Sequence, residues 1–188
     1  MEKLVSDSIK LHKKLLKEFE HTGVEKIMEI SSKIYDSLEN NGVIYVCGNG
    51  GSAADSQHVA GELVVRLKRD RKALAAVSLT TDTSILTSIG NDYSFEDIFS
   101  RQVEALVRQE DILWAFSTSG SSKNILKACR LAKKKGAKVV AFTGRPDCQL
   151  AKIADISLLV DSDVTASVQE IHQIAYHIVC DLVEKKYI

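Results

Sequence analysis

The chain has 188 residues, is 45% hydrophobic and carries a formal net charge of zero, so it can bury a full core and lacks the basic footprint that nucleic-acid binding requires. No apolar run is long enough to cross a bilayer, and the opening Met1-Glu2-Lys3-Leu4-Val5-Ser6 has neither the charged start nor the apolar stretch of a signal peptide; a cytoplasmic protein with no membrane partner is expected. Cys47, Cys129, Cys148 and Cys180 are widely spaced with no Cys-x-x-Cys pair, and read as reduced, mostly buried small apolar residues.

Apolar residues recur at helical spacing through Leu4, Ile9, Leu11, Leu15, Leu16 and Phe19, and again through Val24, Ile27, Met28, Ile34 and Leu38. This predicts two antiparallel helices, a hairpin over residues 1–41. Asn40-Asn41-Gly42 ends the second, and residues 43–47 follow as a strand. A glycine-rich turn leads to a helix over 52–67 and a second strand over 73–79. Thr80-Thr81-Asp82 caps a short helix ending near Gly90, a further helix covers 95–107, and residues 111–116 read as a buried strand. Residues 123–135 are helical, and strands over 138–143 and 156–160 bring the total to five. The alternation predicts an α/β fold with a parallel, doubly wound sheet and right-handed crossovers. Pro146 is the only proline and no repeat interrupts the pattern, so residues 1–188 are expected to form one domain. The N-terminal helices and the last helix lie outside the minimal sheet unit, and packing between subunits would cover their apolar stripes.

In such a sheet, ligands bind beyond the carboxyl ends of strands where adjacent connections diverge. Two of these ends carry distinctive chemistry. Ser117-Thr118-Ser119-Gly120-Ser121-Ser122 places five hydroxyl residues in six positions ahead of a helix, where exposed N–H groups and the positive dipole end favour a phosphate. Gly48-Asn49-Gly50-Gly51-Ser52 lets backbone pass close to a ligand. It departs from G-x-G-x-x-G and has no acidic partner about 20 residues on, so no nucleotide or organic cofactor is expected. The following helix carries His58 and Glu62 at i and i+4, one turn apart on one face. Near the C-terminus Gln169, Gln173 and His177 share a stripe between Ile171, Ile174, Ala175 and Ile178. A lone histidine in that setting is more often structural than functional; two polar constellations beside a phosphate loop shift the balance towards chemistry.

These residues resemble a known family. Gly48-Asn49-Gly50-Gly51-Ser52 with His58-Val59-Ala60-Gly61-Glu62, Gly90-Asn91-Asp92, Phe99-Ser100-Arg101, Ser117-Thr118-Ser119-Gly120 and Gln169-Glu170-Ile171-His172 with His177 are similar to the phosphoheptose isomerases of the sugar isomerase (SIS) domain superfamily. The likeness runs the length of the chain. It implies a five-stranded parallel sheet flanked by helices and an aldose–ketose isomerase that converts sedoheptulose 7-phosphate to D-glycero-D-manno-heptose 7-phosphate, the first step towards the heptose of lipopolysaccharide and other surface glycans. It implies that Ser117, Thr118, Ser119 and Ser122 hold the phosphate and that Asn49, Gly50, Gly51, Ser52, Asn91, Asp92 and Gln169 line the sugar site, with Arg66 beside them. Glu62 and His177 match the acid–base pair. His58, Glu62, Gln169 and His177 match the ligands of one zinc per subunit, and a homotetramer with active sites between subunits is implied. The residues themselves suggest the same interface, because His58 and Glu62 come from one helix and Gln169 and His177 from a distant one.

Two positions depart from the pattern: Ala166 and Ser167 stand where some relatives have aspartate and arginine. Two rival readings remain at this level. One is a non-catalytic tetramer that recruits the replication initiator, which would need neither Glu62 nor His177. The other is an isomerase of a different phosphosugar, which the fold alone does not exclude.

Overall fold

Seven α-helices and five strands alternate along residues 1–188 in the computed structural model of the chain. In order they are α1 (Glu2–Glu39), β1 (Ile44–Gly48), α2 (Gly51–Val64), β2 (Ala76–Ser78), α3 (Thr83–Asp92), a 3-10 turn at Phe95–Asp97, α4 (Ser100–Leu106), β3 (Ile112–Ser117), α5 (Lys123–Lys134), β4 (Lys138–Thr143), α6 (Gln149–Ile153), β5 (Ile156–Leu159) and α7 (Thr165–Lys185). The strands form one sheet in the order β2-β1-β3-β4-β5, and every pairing is parallel. The chain leaves β1 towards one edge and β3 towards the other, so the crevice of the sheet lies between their carboxyl ends. There Gly48 pairs with Phe116, and the glycine-rich and hydroxyl-rich loops become neighbours.

Strand residues alternate between two cores. Ile44, Val46, Ile112, Trp114, Phe116, Val140 and Phe142 face the layer that contains α1 and α7. Tyr45, Cys47, Leu113, Ala115, Val139 and Ala141 face α4 and α5. Stacked Trp114 and Phe116, with Phe142 edge-on to Trp114, fill the first layer, and each such burial stabilises by about 1.5–3 kcal/mol. Small residues dominate where α5 sits down, with Ala128, Cys129 and Ala132 fully buried. All four cysteines are free; Cys47, Cys129 and Cys180 are buried and Cys148 is half-buried.

The expected N-terminal hairpin is instead one continuous helix, α1, of 38 residues. Its buried positions Leu15, Phe19, Gly23, Ile27, Ile30 and Ile34 step by four or three without a phase break, so one stripe serves both segments and no turn is needed. Gly23 does not interrupt it. A glycine inside a helix costs about 1 kcal/mol, and here the bare Cα admits the Phe19 ring, whose Cε2 lies 2.3 Å from where a Cβ would stand. The stripe packs on α7 and β5.

Other boundaries move for local reasons. Residues 95–107 divide at Ile98 and Phe99 into the 3-10 turn and α4, and α6, which has no counterpart in the sequence reading, is capped by Cys148. The second strand shrinks to three residues because the backbone before it turns to α2, where Leu74 N–H donates to the Leu63 carbonyl at 3.1 Å; the loop between them is held by another partner. Glu184 on α7 is fully buried and accepts from the N–H groups of Leu67, Lys68 and Arg69 at 2.8–3.0 Å. Arg71, whose Nε lies 3.6 Å from the same carboxylate, donates to the carbonyl of Glu62 at 2.8 Å. The loop after α2 is thereby pinned to the last helix and holds the end of α2.

His172 sits fully buried between Phe116 and Phe142, with Nε2 3.4 Å from the Thr143 carbonyl and Nδ1 without a partner. Burial lowers its pKa from 6.5 to about 4, against the raising effect of the Thr143 contact. The unfolded chain therefore takes up a proton first as pH falls. The stability that neutral His172 permits is fully present above about 6.5 and is lost progressively towards about 4, by about 3 kcal/mol in all. Urea unfolding of wild type and His172→Gln across that window should diverge by this amount; parallel curves would refute the assignment.

Candidate active site

The glycine-rich loop leaves β1 through Gly50, which takes φ +57°, a value that suits glycine. At Gly51 the absent Cβ makes room for Gln169, whose Nε2 and Oε1 lie 2.6 and 2.7 Å from where that atom would be. The first turns of α2 and α7 therefore meet at these two residues. Ser52 is buried beside them. Asn49 exchanges both amide bonds with Asn124 on α5, at 2.9 and 2.8 Å, and ties the glycine-rich loop to the start of the helix that follows the hydroxyl-rich one. Asn124 is buried. Sequence reading missed it; its signal was a polar residue just inside a helix start that already had its cap.

In the second loop Ser117 donates to Ser122 Oγ at 3.2 Å. Ser122, the N-cap of α5, makes no capping bond to its own helix; Ile125 N–H is taken by Asn124 Oδ1 at 2.9 Å, and the N–H groups of Lys123 and Asn124 stay available to an anion. Ser119 Oγ accepts from the Ser121 N–H and hydroxyl, and the Thr118 carbonyl accepts from Gly144 N. Gly120 turns the loop at φ +61° and has Cys148 Sγ 2.2 Å from its Cβ position. Gly120→Ala should therefore destabilise by about 1–3 kcal/mol and weaken inhibition by inorganic phosphate; a variant matching wild type in melting temperature and phosphate inhibition would contradict this reading.

The residues expected to form the acid–base pair stand further along the same two helices. α2 and α7 pack together, and one ligand atom each from His58, Glu62 and His177 lie within 4.8 Å of one another. His58 Nε2 is 3.0 Å from Glu62 Oε1 and 3.3 Å from His177 Nε2. Three of the four expected metal residues thus converge inside one chain, so their separate helices are no argument for an interface. The fourth, Gln169, stands about two turns before His177 on the same helix, with its amide at Gly51. Gln169 and His177 are eight residues apart on α7, about 12 Å at about 1.5 Å per residue.

Asn91 donates to Asp92 at 2.8 Å on the exposed end of α3, and Arg66 is exposed just beyond α2. Ser167 is buried and Ala166 exposed at the start of α7.

Burial, and then the neighbouring His58, push His177 below the ordinary histidine range, so its imidazole is neutral at pH 7 with one N–H to donate. Two residues absent from the sequence reading complete the surroundings. Tyr176 is fully buried, and its hydroxyl lies 2.9 Å from His58 Nδ1. Asp55, one turn before His58, has an enclosed Oδ2 with no partner, and burial raises its pKa to about 6 against the lowering effect of His58. Their sequence signals were weak: a carboxylate three residues before a histidine, and an aromatic that reads as ordinary core.

The SIS domain profile matches residues 9–144. A phosphoheptose isomerase from Helicobacter pylori is 45% identical over 98% of this chain and 96% of its own length, and one from Geotalea daltonii is 46% identical over 97% and 95%. This chain belongs to the phosphoheptose isomerase family. Solved phosphoheptose isomerases superpose closely. That from Neisseria gonorrhoeae gives a TM-score of 0.93 at 40% identity with 98% of both chains covered, and that from Francisella tularensis gives 0.94 at 34% identity with 97% of both covered. The fold extends beyond phosphoheptose isomerases, to the Vibrio vulnificus NanR protein complexed with ManNAc-6P at a TM-score of 0.68 and 15% identity. The chain is therefore an aldose–ketose isomerase by family.

Proposed function

We propose that this chain interconverts sedoheptulose 7-phosphate and D-glycero-D-manno-heptose 7-phosphate, in the cytoplasm, at the head of heptose synthesis for surface glycans. The observation that carries the reading is the meeting of Glu62 with His177 in a chain 45% identical to a phosphoheptose isomerase. Moving a carbonyl from C2 to C1 requires one proton to pass between the carbons and another between the oxygens, through an enediol. Glu62 takes the C1 proton and returns it to C2. His177 donates its N–H to the C2 oxygen as charge develops there and recovers a proton from the C1 hydroxyl. The phosphate sits far from these atoms on Ser117, Thr118, Ser119 and Ser122, and its binding energy fixes the orientation of the sugar. Asn49, Gly50, Gly51, Ser52, Asn91, Asp92 and Gln169 are assigned to the sugar.

His58, Glu62 and His177 suit a zinc ion. At Zn–N distances of about 2.0–2.1 Å, tetrahedral ligand atoms stand about 3.3 Å apart, and the two imidazole nitrogens are 3.3 Å apart. Zinc would supply Lewis-acid polarisation of the substrate carbonyl. Gln169, about two turns before His177 on α7, is the fourth residue assigned to the ion.

The same reading includes a homotetramer with sites shared between subunits. Leu16, Val24 and Met28 on α1 and Ile174 and Ile178 on α7 are 38–61% exposed and line one groove, and an apolar face of this kind calls for a partner. The about 12 Å along α7 between Gln169 and His177 also favours a site in which the phosphate loop of one subunit faces the acid–base cluster of another. Light scattering should give a tetramer, and an active monomer would contradict the arrangement.

A panel of ketose phosphates assayed with purified protein tests the function. Turnover of sedoheptulose 7-phosphate is expected. Preference for another sugar would support the other-phosphosugar reading, and none at all the binding-protein reading.

A further inference from the structure

The buried tyrosine beside the acid–base cluster has no part in proton transfer as described, yet it touches the one nitrogen of His58 that faces away from the cluster. Tyr176 Oη is 2.9 Å from His58 Nδ1, while His58 Nε2 faces Glu62 Oε1 at 3.0 Å and His177 Nε2 at 3.3 Å. The Tyr176 ring also packs edge-on against His58 and Phe116. Its hydroxyl therefore meets the imidazole from a fixed direction.

An imidazole that binds a cation through Nε2 must carry its proton on Nδ1, and the group that meets Nδ1 determines how readily it does so. A tyrosine hydroxyl both donates and accepts. With no cation, Nε2–H donates to Glu62 and the hydroxyl donates to Nδ1. With a cation on Nε2, Nδ1–H donates to Oη, and the hydroxyl proton needs another acceptor. The Oδ2 of Asp55, one turn before His58 on the same helix, is enclosed and has no donor.

We propose that Tyr176 is a positioning residue that holds His58 with Nε2 towards the Glu62–His177 cluster and reverses its hydrogen bond when a divalent cation binds, keeping its own proton and turning its O–H towards Asp55. No bond to carbon changes, and one proton moves from Nε2 of His58 to Nδ1. The inference rests on the metal reading above and adds the outer support that sets His58's tautomer.

The test uses full-length protein and cobalt(II) as probe. Tyr176→Phe should weaken cobalt binding between about tenfold and a hundredfold, alter the cobalt absorption spectrum and leave the melting temperature within a few degrees. Asp55→Ala should weaken cobalt binding similarly, and the double variant should be no weaker than Tyr176→Phe alone, because both act through one hydrogen-bond chain. In metal-free protein, the 15N shifts of His58 should report the Nε2–H form and should move in Tyr176→Phe. Unchanged cobalt affinity together with unchanged His58 shifts in that variant would overturn the proposal, and additive losses in the double variant would remove Asp55 from it. If wild type takes up no cobalt, the metal reading and the reversal fail together, while the metal-free shifts still decide whether Tyr176 holds His58.

Discussion

Glu62→Gln is expected to lower turnover of sedoheptulose 7-phosphate by at least about 100-fold, the scale of a lost general base, while leaving the fold and the affinity for inorganic phosphate near wild type. The separation follows from where the residue stands. Its side chain faces the cluster with His58 and His177, whereas the phosphate loop belongs to the end of β3 and the start of α5. The backbone bond from Arg71 to the Glu62 carbonyl is indifferent to the substitution. Glutamine keeps the size and one acceptor oxygen but cannot take a proton from carbon. Because Glu62 also faces the proposed zinc position, the assay is run both at saturating zinc and after chelation; a true base shows the loss in both. His177→Asn should behave likewise. Wild-type turnover in either variant would remove that residue from the mechanism.

The second large effect is on stability. Glu184→Ala should cost about 3–5 kcal/mol, the range for removing one partner of a buried ion pair, a large part of the roughly 5–15 kcal/mol that holds a domain folded. Burial by itself would raise the Glu184 pKa, but the backbone N–H groups of Leu67, Lys68 and Arg69, with the charge of Arg71, more than offset this and hold it below the ordinary glutamate range. Truncation leaves three N–H groups and the Arg71 Nε, already without a hydrogen-bond partner, enclosed with nothing to accept from them. Joint replacement, Glu184→Leu with Arg71→Met, should recover part of the loss, because it removes the charge along with its counter-charge. Urea unfolding measures both variants. A cost below about 1 kcal/mol for the single change would place the pair with surface salt bridges.

The sheet was legible because its strands are short apolar runs bounded by turn residues, and because the interiors of the three central strands, β1, β3 and β4, are covered on both faces. The two ligand loops were legible for a different reason. Glycines and hydroxyls in a row have few other uses at a strand end, and the strand order places those two ends side by side. The hairpin failed because helical periodicity reports the face of a helix and not its length. With the stripe in phase through Gly23, only packing against α7 and β5 decides between one helix and two.

What the residue order determined by itself was the α/β class, the hydroxyl-rich turn at 117–122 and the pairing of His58 with Glu62 one helical turn apart, since these depend on spacing within a single element. The tertiary structure alone decided that His177 joins them while Gln169 stands at Gly51, that Asn49 and Asn124 lock the two loops together, and that Tyr176 and Asp55 surround His58. Each of those contacts joins segments far apart in the chain, and local periodicity carries no information about which faces of two remote helices meet.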